Sequence, residues 1–104
     1  MNPHPAKGQD MERERRQRIE DLIAEHGPQW SEQYKPGSFG CHELLDRTSM
    51  VADIVEHYVL SHPSCAQQQD WYALADQAVA ALRELYQRIG EKHLDDQGYT
   101  AGER

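Results

Sequence analysis

The sequence predicts a small all-α protein, built as a helical bundle of about three helices. Three observations favour this class. Two long segments repeat their apolar residues at the spacing of an amphipathic helix. A third segment carries Glu–Arg pairs at i,i+3 and i,i+4 spacing, and the alternating pattern of strands is missing from the sequence. A chain of 104 residues has room for one domain with a modest core.

The first helix is expected from Asp10 to His26, where Gly27 and Pro28 end the helical pattern. Its early part mixes glutamate and arginine, as in the pair Glu12 and Arg16. Its apolar residues are concentrated in the C-terminal half (Ile19, Leu22 and Ile23). Only that half can therefore contribute much to a core.

An ordered connector is expected from Gln29 to Gly40, because this stretch contains aromatic residues as well as turn-forming glycine and proline. Its aromatic residues are Trp30, Tyr34 and Phe39. They have two interpretations. They cover one end of the bundle, or they form an exposed platform that binds a partner.

The two longer helices are expected from Cys41 to Ser61 and from Gln67 to His93. A short turn around Pro63 joins them, so they should form an antiparallel hairpin. The apolar arc of the second helix is wide, which indicates neighbours on more than one side, such as the first helix or a second copy of the chain. Periodicity also predicts three aromatic residues in the core (Tyr58, Trp71 and Tyr86).

The domain organisation follows from composition. Hydrophobic residues make up only 38% of the chain, which indicates polar ends around a smaller folded centre. Residues 1–9 and 95–104 are expected to be disordered tails, and residues 10–94 a single helical domain.

The charge balance restricts the possible partners. The net charge is −7, from 18 acidic and 11 basic residues, so direct binding to nucleic acid is not expected. An acidic surface favours a protein partner with a basic surface. No apolar run approaches the ~18 residues of a membrane span and the N-terminus does not resemble a signal peptide, so a cytoplasmic protein is expected. The two cysteines, Cys41 and Cys65, are expected to stay reduced.

Two segments of the chain look familiar. One is the stretch YKPGSFGCHE from Tyr34 to Glu43, and the other is the later pattern that ends in LYQRIG and His93-Leu94. Together they resemble a group of small, uncharacterised bacterial helical proteins, over residues 34 to 94. The resemblance implies a bacterial origin and a helical fold. It carries no catalytic role over to this chain.

The triplet Cys41-His42-Glu43 lies where the connector enters the second helix. A thiol at a helix N-terminus can become nucleophilic, because the helix dipole favours negative charge there. One interpretation is therefore a thiol- or metal-dependent catalytic site formed by these three residues. The other is that Cys41 packs as a small hydrophobic residue, and it is the favoured one.

Histidine and aspartate also form a polar stripe along the second helix (His42, Asp46, Asp53 and His57). An i,i+4 His/Asp pair can contribute to a metal site. However, the two pairs lie ~16 Å apart along the helix axis, too far for one ion. A solvated polar face is therefore the favoured interpretation, with a metal site as the alternative, and no cofactor is expected.

The leading functional hypothesis is a non-catalytic interaction, inhibitor or regulatory module that binds another protein. Its expected contact residues are the connector aromatics and three acidic residues (Trp30, Tyr34, Phe39, Asp46, Asp53 and Glu56). The alternative is the thiol or metal site at Cys41, His42 and Glu43. A homodimer that completes a larger helical bundle is a further possibility.

Overall fold

The computed structural model describes residues 7–96, and residues 1–6 and 97–104 lie outside it. Every regular element in residues 7–96 is helical, so the predicted all-α class is confirmed. The expected tails fall largely outside the described residues. Residues 7–9 and 95–96 belong to the expected tails but are described, and there the chain is helical. No helix of the described part is long and apolar enough to cross a bilayer.

The chain divides into two compact units, Met1–Glu32 and Gln33–Arg104, and each is described by itself. The first contains helix α1, Lys7–His26, which begins three residues before the predicted start and ends at the predicted residue. Gly27 ends α1 because it adopts a left-handed conformation, with a φ of 89°, and donates its N–H to the Ile23 carbonyl at 2.8 Å.

Ion pairs along the surface of α1 stabilise its first half. Arg15 pairs with Glu12 at 2.7 Å, and Arg13 pairs with Asp10 at 3.1 Å. The hydrogen bond from the Arg15 guanidinium, helped by Arg16, lowers the pKa of Glu12 from 4.5 to about 2. Helix α1 is therefore held by local charge pairing, and none of its described residues is fully buried.

Helix α2, Phe39–Val55, begins two residues before the predicted start. Ser38 is its N-cap, and the Ser38 Oγ accepts a hydrogen bond from the Cys41 N–H at 3.1 Å. Gly40 is required in the first turn, because a Cβ at this position would collide with the Gln33 carbonyl and the Tyr34 ring. The 3₁₀ helix Trp30–Gln33 precedes this turn, so the ordered connector is confirmed.

The second long helix does not continue regularly to Ser61, as predicted. Its last turn, Glu56–Leu60, is π-helical. A one-turn helix α3, Pro63–Ala66, follows, and the His62 ring accepts a hydrogen bond from the Ser64 N–H at 3.0 Å to cap it. Helix α4, Gln69–Asp96, therefore starts after the predicted Gln67 and runs through Gly90 without interruption.

Helices α2 and α4 form the predicted antiparallel hairpin. The start of α2 lies against the end of α4, where His42 contacts His93, and further along Asp53 contacts Arg83. A narrow stripe of mostly small side chains is buried between the helices (Cys41, Leu45, Thr48, Ala52, Ala75, Val79 and His93). Both cysteines are free, as predicted.

The predicted aromatic core is wrong. Tyr58 is 73% exposed and Trp71 is 54% exposed, and Tyr86 is also exposed. The reason is geometric: two helices in contact cover only one stripe of each other, while the apolar arcs of α2 and α4 are wider than that stripe. The residues at the outer edge of both arcs remain open to solvent.

Candidate functional site

One side of the α2–α4 hairpin exposes a continuous row of apolar side chains, here called the apolar flank. Its residues recur at steps of three, four or seven along each helix, except that Val59 directly follows Tyr58 in the π-turn, so they share one side of the hairpin. Leu74 is 65% exposed, and the other large members are at least 40% exposed. The apolar flank consists of Leu44, Val51, Ile54, Tyr58 and Val59 from α2 and its π-turn, and of Trp71, Leu74, Ala78, Ala81 and Leu85 from α4.

The apolar flank contains an open hollow of ~560 Å³ near the turn of the hairpin. Its walls are mainly apolar, and they come from both helices and the connecting turn (Tyr58, Val59, His62, Cys65, Trp71, Leu74 and Ala75). The π-turn places Tyr58 and Val59 side by side in this wall. The hollow can accept a protruding apolar side chain from a partner.

Two ion pairs lie next to the apolar flank, one within each helix. Glu43 pairs with Arg47 at 3.0 Å on α2, and Glu84 pairs with Arg88 at 2.7 Å on α4. These two i,i+4 pairs form what we call the rim of the apolar flank. The rim carries no net charge, although the whole chain has a net charge of −7.

The opposite side of the hairpin, here called the polar flank, consists of His42, Asp46, Asp53 and Glu56 on α2 and Arg83 on α4. Arg83 donates to the Asp53 carboxylate at 3.1 Å and also pairs with Glu56, so one guanidinium joins α4 to two acids of α2. The hydrogen bonds that Arg83 donates to Glu56, and next to Asp53, raise the pKa of Arg83 above its ordinary value.

A series of hydrogen bonds links the connector, α4 and α2 at the other end of the polar flank. The Gly37 N–H donates to Nδ1 of His93 at 2.9 Å, so this nitrogen is an acceptor. Neutral His93 then carries its proton on Nε2 and donates to Nδ1 of His42, 3.3 Å away. His42 in turn carries its proton on Nε2, which lies 3.5 Å from the Asp46 carboxylate.

The direction of these hydrogen bonds limits what the histidine pair can do. His93 is fully buried, and both of its ring nitrogens have partners. A metal at Nε2 of His93 would displace the proton that this tautomer carries, while Nδ1 already accepts from Gly37. The arrangement therefore fits a structural link between the connector, α2 and α4.

The predicted polar stripe is only partly brought together. His42 and Asp46 interact, but the Asp53 carboxylate points to Arg83. His57 forms a hydrogen bond with the backbone carbonyl of Asp53 at 2.9 Å. Among the residues that the structure describes, no group of three histidine, cysteine or acidic side chains has the arrangement of a metal site.

The side chains of the predicted Cys41-His42-Glu43 triplet point apart. Cys41 is buried between α2 and α4. The His42 ring faces His93, and the Glu43 carboxylate is held by Arg47. A nucleophile and its base need to lie within hydrogen-bonding distance, and here each residue has a different neighbour.

The connector aromatics differ in exposure. Trp30 lies in the first unit and is half-buried. In the second unit, Tyr34 packs beside Gly40, whereas Phe39 is 90% exposed. Tyr34 and Phe39 line one shallow hollow of ~370 Å³, together with Ser38 and Glu43.

Sequence reasoning missed two kinds of residue. Arg83 and His93 organise the polar flank, and a hairpin register counted outward from the turn would have placed them opposite Asp53 and His42. The exposed aromatics of the apolar flank were assigned to the core, because periodicity gives the direction of a side chain but does not identify its neighbour.

Comparison of the chain with protein-family models, with curated proteins and with solved structures finds no match. The resemblance to small bacterial helical proteins therefore stays a prediction.

Proposed function

We propose that this chain is a non-catalytic protein–protein interaction module of the regulatory or inhibitor type, and that the apolar flank is its main contact surface. The observation that carries this proposal is the exposure of eight large apolar side chains along one side of a single hairpin. Apolar patches on monomeric proteins rarely exceed ~300–600 Å², and larger ones mark interaction sites.

The composition of the apolar flank supports a protein as the partner. Tyr58 and Trp71 lie in it, and tyrosine and tryptophan are the residues that most often carry binding energy at interfaces. A membrane surface is a poorer fit. Peripheral helices use lysine and arginine to attract anionic lipids, whereas this chain is acidic and the rim has no net charge.

The polar flank provides a second, weaker surface, toward a partner with basic residues. Asp46, Asp53 and Glu56 share one side of α2 and remain accessible. Arg83 already pairs with Asp53 and Glu56, which reduces the negative charge of that side. We therefore assign this surface a role in orientation and rate of association, where charge has its main effect.

The thiol or metal alternative receives no comparable support. Its three side chains point apart, and Cys41 is buried. A binding role requires only an accessible complementary surface, which the apolar flank provides.

Site-specific photo-crosslinking in cells that produce the chain tests the proposal. A photoreactive phenylalanine analogue replaces Ala78 in the apolar flank or, as the matched control, Ala80 outside it. Both alanines are exposed on α4, so neither substitution disturbs a buried contact. We expect a covalent protein adduct from position 78 and little or none from position 80.

Mass spectrometry of the adduct identifies the crosslinked chain. An adduct specific to position 78 supports the proposal, whether it contains another protein or a second copy of this chain. Equal labelling from both positions, or no protein adduct from position 78, would overturn it.

A further inference from the structure

We infer that a second copy of this chain covers the apolar flank, so that two hairpins pack face to face as a symmetric four-helix bundle. The inference rests on the proposed function and names the occupant of its contact surface. The hairpin supplies two antiparallel helices with a shared apolar side, which is half of a four-helix bundle. A two-fold axis lets the same surface serve both partners.

The size of the apolar flank fits a dimer. Aromatic side chains such as those of Tyr58 and Trp71 bury ~150–250 Å² each, and the aliphatic members of the flank bury less. The eight large members of the flank are between 40% and 73% exposed. Their open area comes to roughly 800 Å² per copy, which is the share that each partner buries in a standard-size interface.

The shape of the apolar flank also fits a second helical pair. Ala78 and Ala81 lie in the middle of the α4 row, between Leu74 and Leu85. Small residues at this place allow the helices of two copies to approach to the ~8–10 Å spacing of packed helices. Larger neighbours on either side interdigitate, and the hollow lined by Tyr58 and Trp71 receives an apolar side chain of the partner.

The apolar flank differs in charge from the rest of this acidic chain. Two copies that carry −7 each repel one another at most orientations. At the rim, however, the pairs Glu43–Arg47 and Glu84–Arg88 each sum to zero. Self-association through the apolar flank therefore brings neutral borders together, whereas association through the polar flank would bring acids together.

Analytical ultracentrifugation of the full chain tests the inference, from about 1 µM to about 100 µM. Three proteins are compared: the natural chain, Ala78→Glu in the apolar flank, and Ala80→Glu outside it. The two variants add the same charge to exposed positions of one helix, so circular dichroism should show both to be folded. We expect the natural chain and Ala80→Glu to sediment at twice the 12.0 kDa chain mass as concentration rises, and Ala78→Glu to stay at 12.0 kDa.

A natural chain that remains monomeric over the whole range would overturn the inference. A dimer that survives Ala78→Glu would overturn it too, because its interface would lie elsewhere. Neither result removes the proposed function, which fails only if position 78 forms no specific protein adduct. A heterologous adduct from a monomeric chain would thus retain the function and assign the apolar flank to another protein.

Discussion

The two flanks of the α2–α4 hairpin are built from the same two helices, yet their side chains differ in pairing and in exposure to solvent. On the polar flank, Arg83 pairs with two acids and the His42–His93 link joins α2 to α4, so each of these groups has a partner within the chain. On the apolar flank, large side chains such as Tyr58 and Leu74 lie open to water. Within the second unit, the polar flank is paired and the apolar flank is not.

The difference shows how a small helical protein can separate folding from binding. Contact between α2 and α4 buries a stripe of small residues, and the polar flank reinforces it with specific directional bonds. These interactions define the hairpin. The larger apolar groups stay exposed, so most of the free energy that they can provide through burial is not used in forming the hairpin.

The largest effect should come from removing a side chain between the helices. Leu45 is buried and Leu44, its neighbour on the apolar flank, is half exposed. We expect Leu45→Ala to lower the free energy of unfolding by about 2–5 kcal/mol, because it leaves a cavity. Leu44→Ala should lower it by less than ~1 kcal/mol in dilute protein. Urea denaturation checks this, and equal losses would show that the buried stripe and the apolar flank do not differ in their contribution to folding.

A smaller effect is expected from His93, which anchors one end of the polar flank. His93→Leu keeps a buried side chain but removes the acceptor of the Gly37 N–H and the donor to His42. We expect a loss of about 1–3 kcal/mol in the free energy of unfolding, because two hydrogen bonds that link the connector and α2 to α4 are removed.

The control for this variant is His57→Leu, on an exposed histidine of the π-turn, which should change stability by within about 0.5 kcal/mol. Thermal or urea unfolding of both variants measures the difference. A His93→Leu protein as stable as the natural chain would mean that the histidine link does not hold the helices together.

The two glycines beside the hairpin contact should respond in opposite directions. At Gly90 in α4, an added Cβ would lie 3.8 Å from Leu45, an ordinary contact, so Gly90→Ala should stabilise the protein by ~0.5–1 kcal/mol. At Gly40 an added Cβ would collide with the Gln33 carbonyl and the Tyr34 ring, so Gly40→Ala should destabilise it. Melting temperatures compare the two, and a loss of stability in Gly90→Ala would contradict the described packing of α2 against α4.

The smallest effect concerns α1, where charge pairing is local. The pKa of Glu12 is lowered from 4.5 to about 2 by the hydrogen bond from Arg15. A lowered pKa means that the stabilisation is present above pH 4.5 and is lost as the pH falls toward 2. Helical circular dichroism should therefore decrease over this range, and Glu12→Gln should lack that component. An identical acid transition in both proteins would exclude the contribution.

Much of the fold can be predicted from the sequence, because it depends on local signals. Gly27 ends α1 and Pro63 separates the two long helices, and both stops are at their expected positions. The antiparallel hairpin follows from the short turn. The continuation of α4 through Gly90 agrees with the predicted helix, whereas the π-turn at Glu56–Leu60 was not predicted, because the helical periodicity of the sequence carries no signal for it.

The candidate site was harder to predict. Asp53 and Glu56 were identified as surface acids, but their partner Arg83 lies on another helix, so the residue spacing within one helix does not reveal it. Trp71 has the periodicity of a core residue because an interface residue and a core residue have the same pattern. Whether Trp71 is a core residue or an interface residue depends on how much of the apolar arc the rest of the chain covers.

The most direct test of the central claim is methyl NMR of the natural chain, recorded at high protein concentration and after dilution. We expect concentration-dependent shifts in Leu44, Val51, Ile54, Leu74 and Leu85 of the apolar flank, with the buried methyl groups of Leu45 and Val79 nearly unchanged. Spectra that do not change on dilution, or shifts that centre on methyl groups outside the apolar flank, such as that of Ala80, would contradict this expectation.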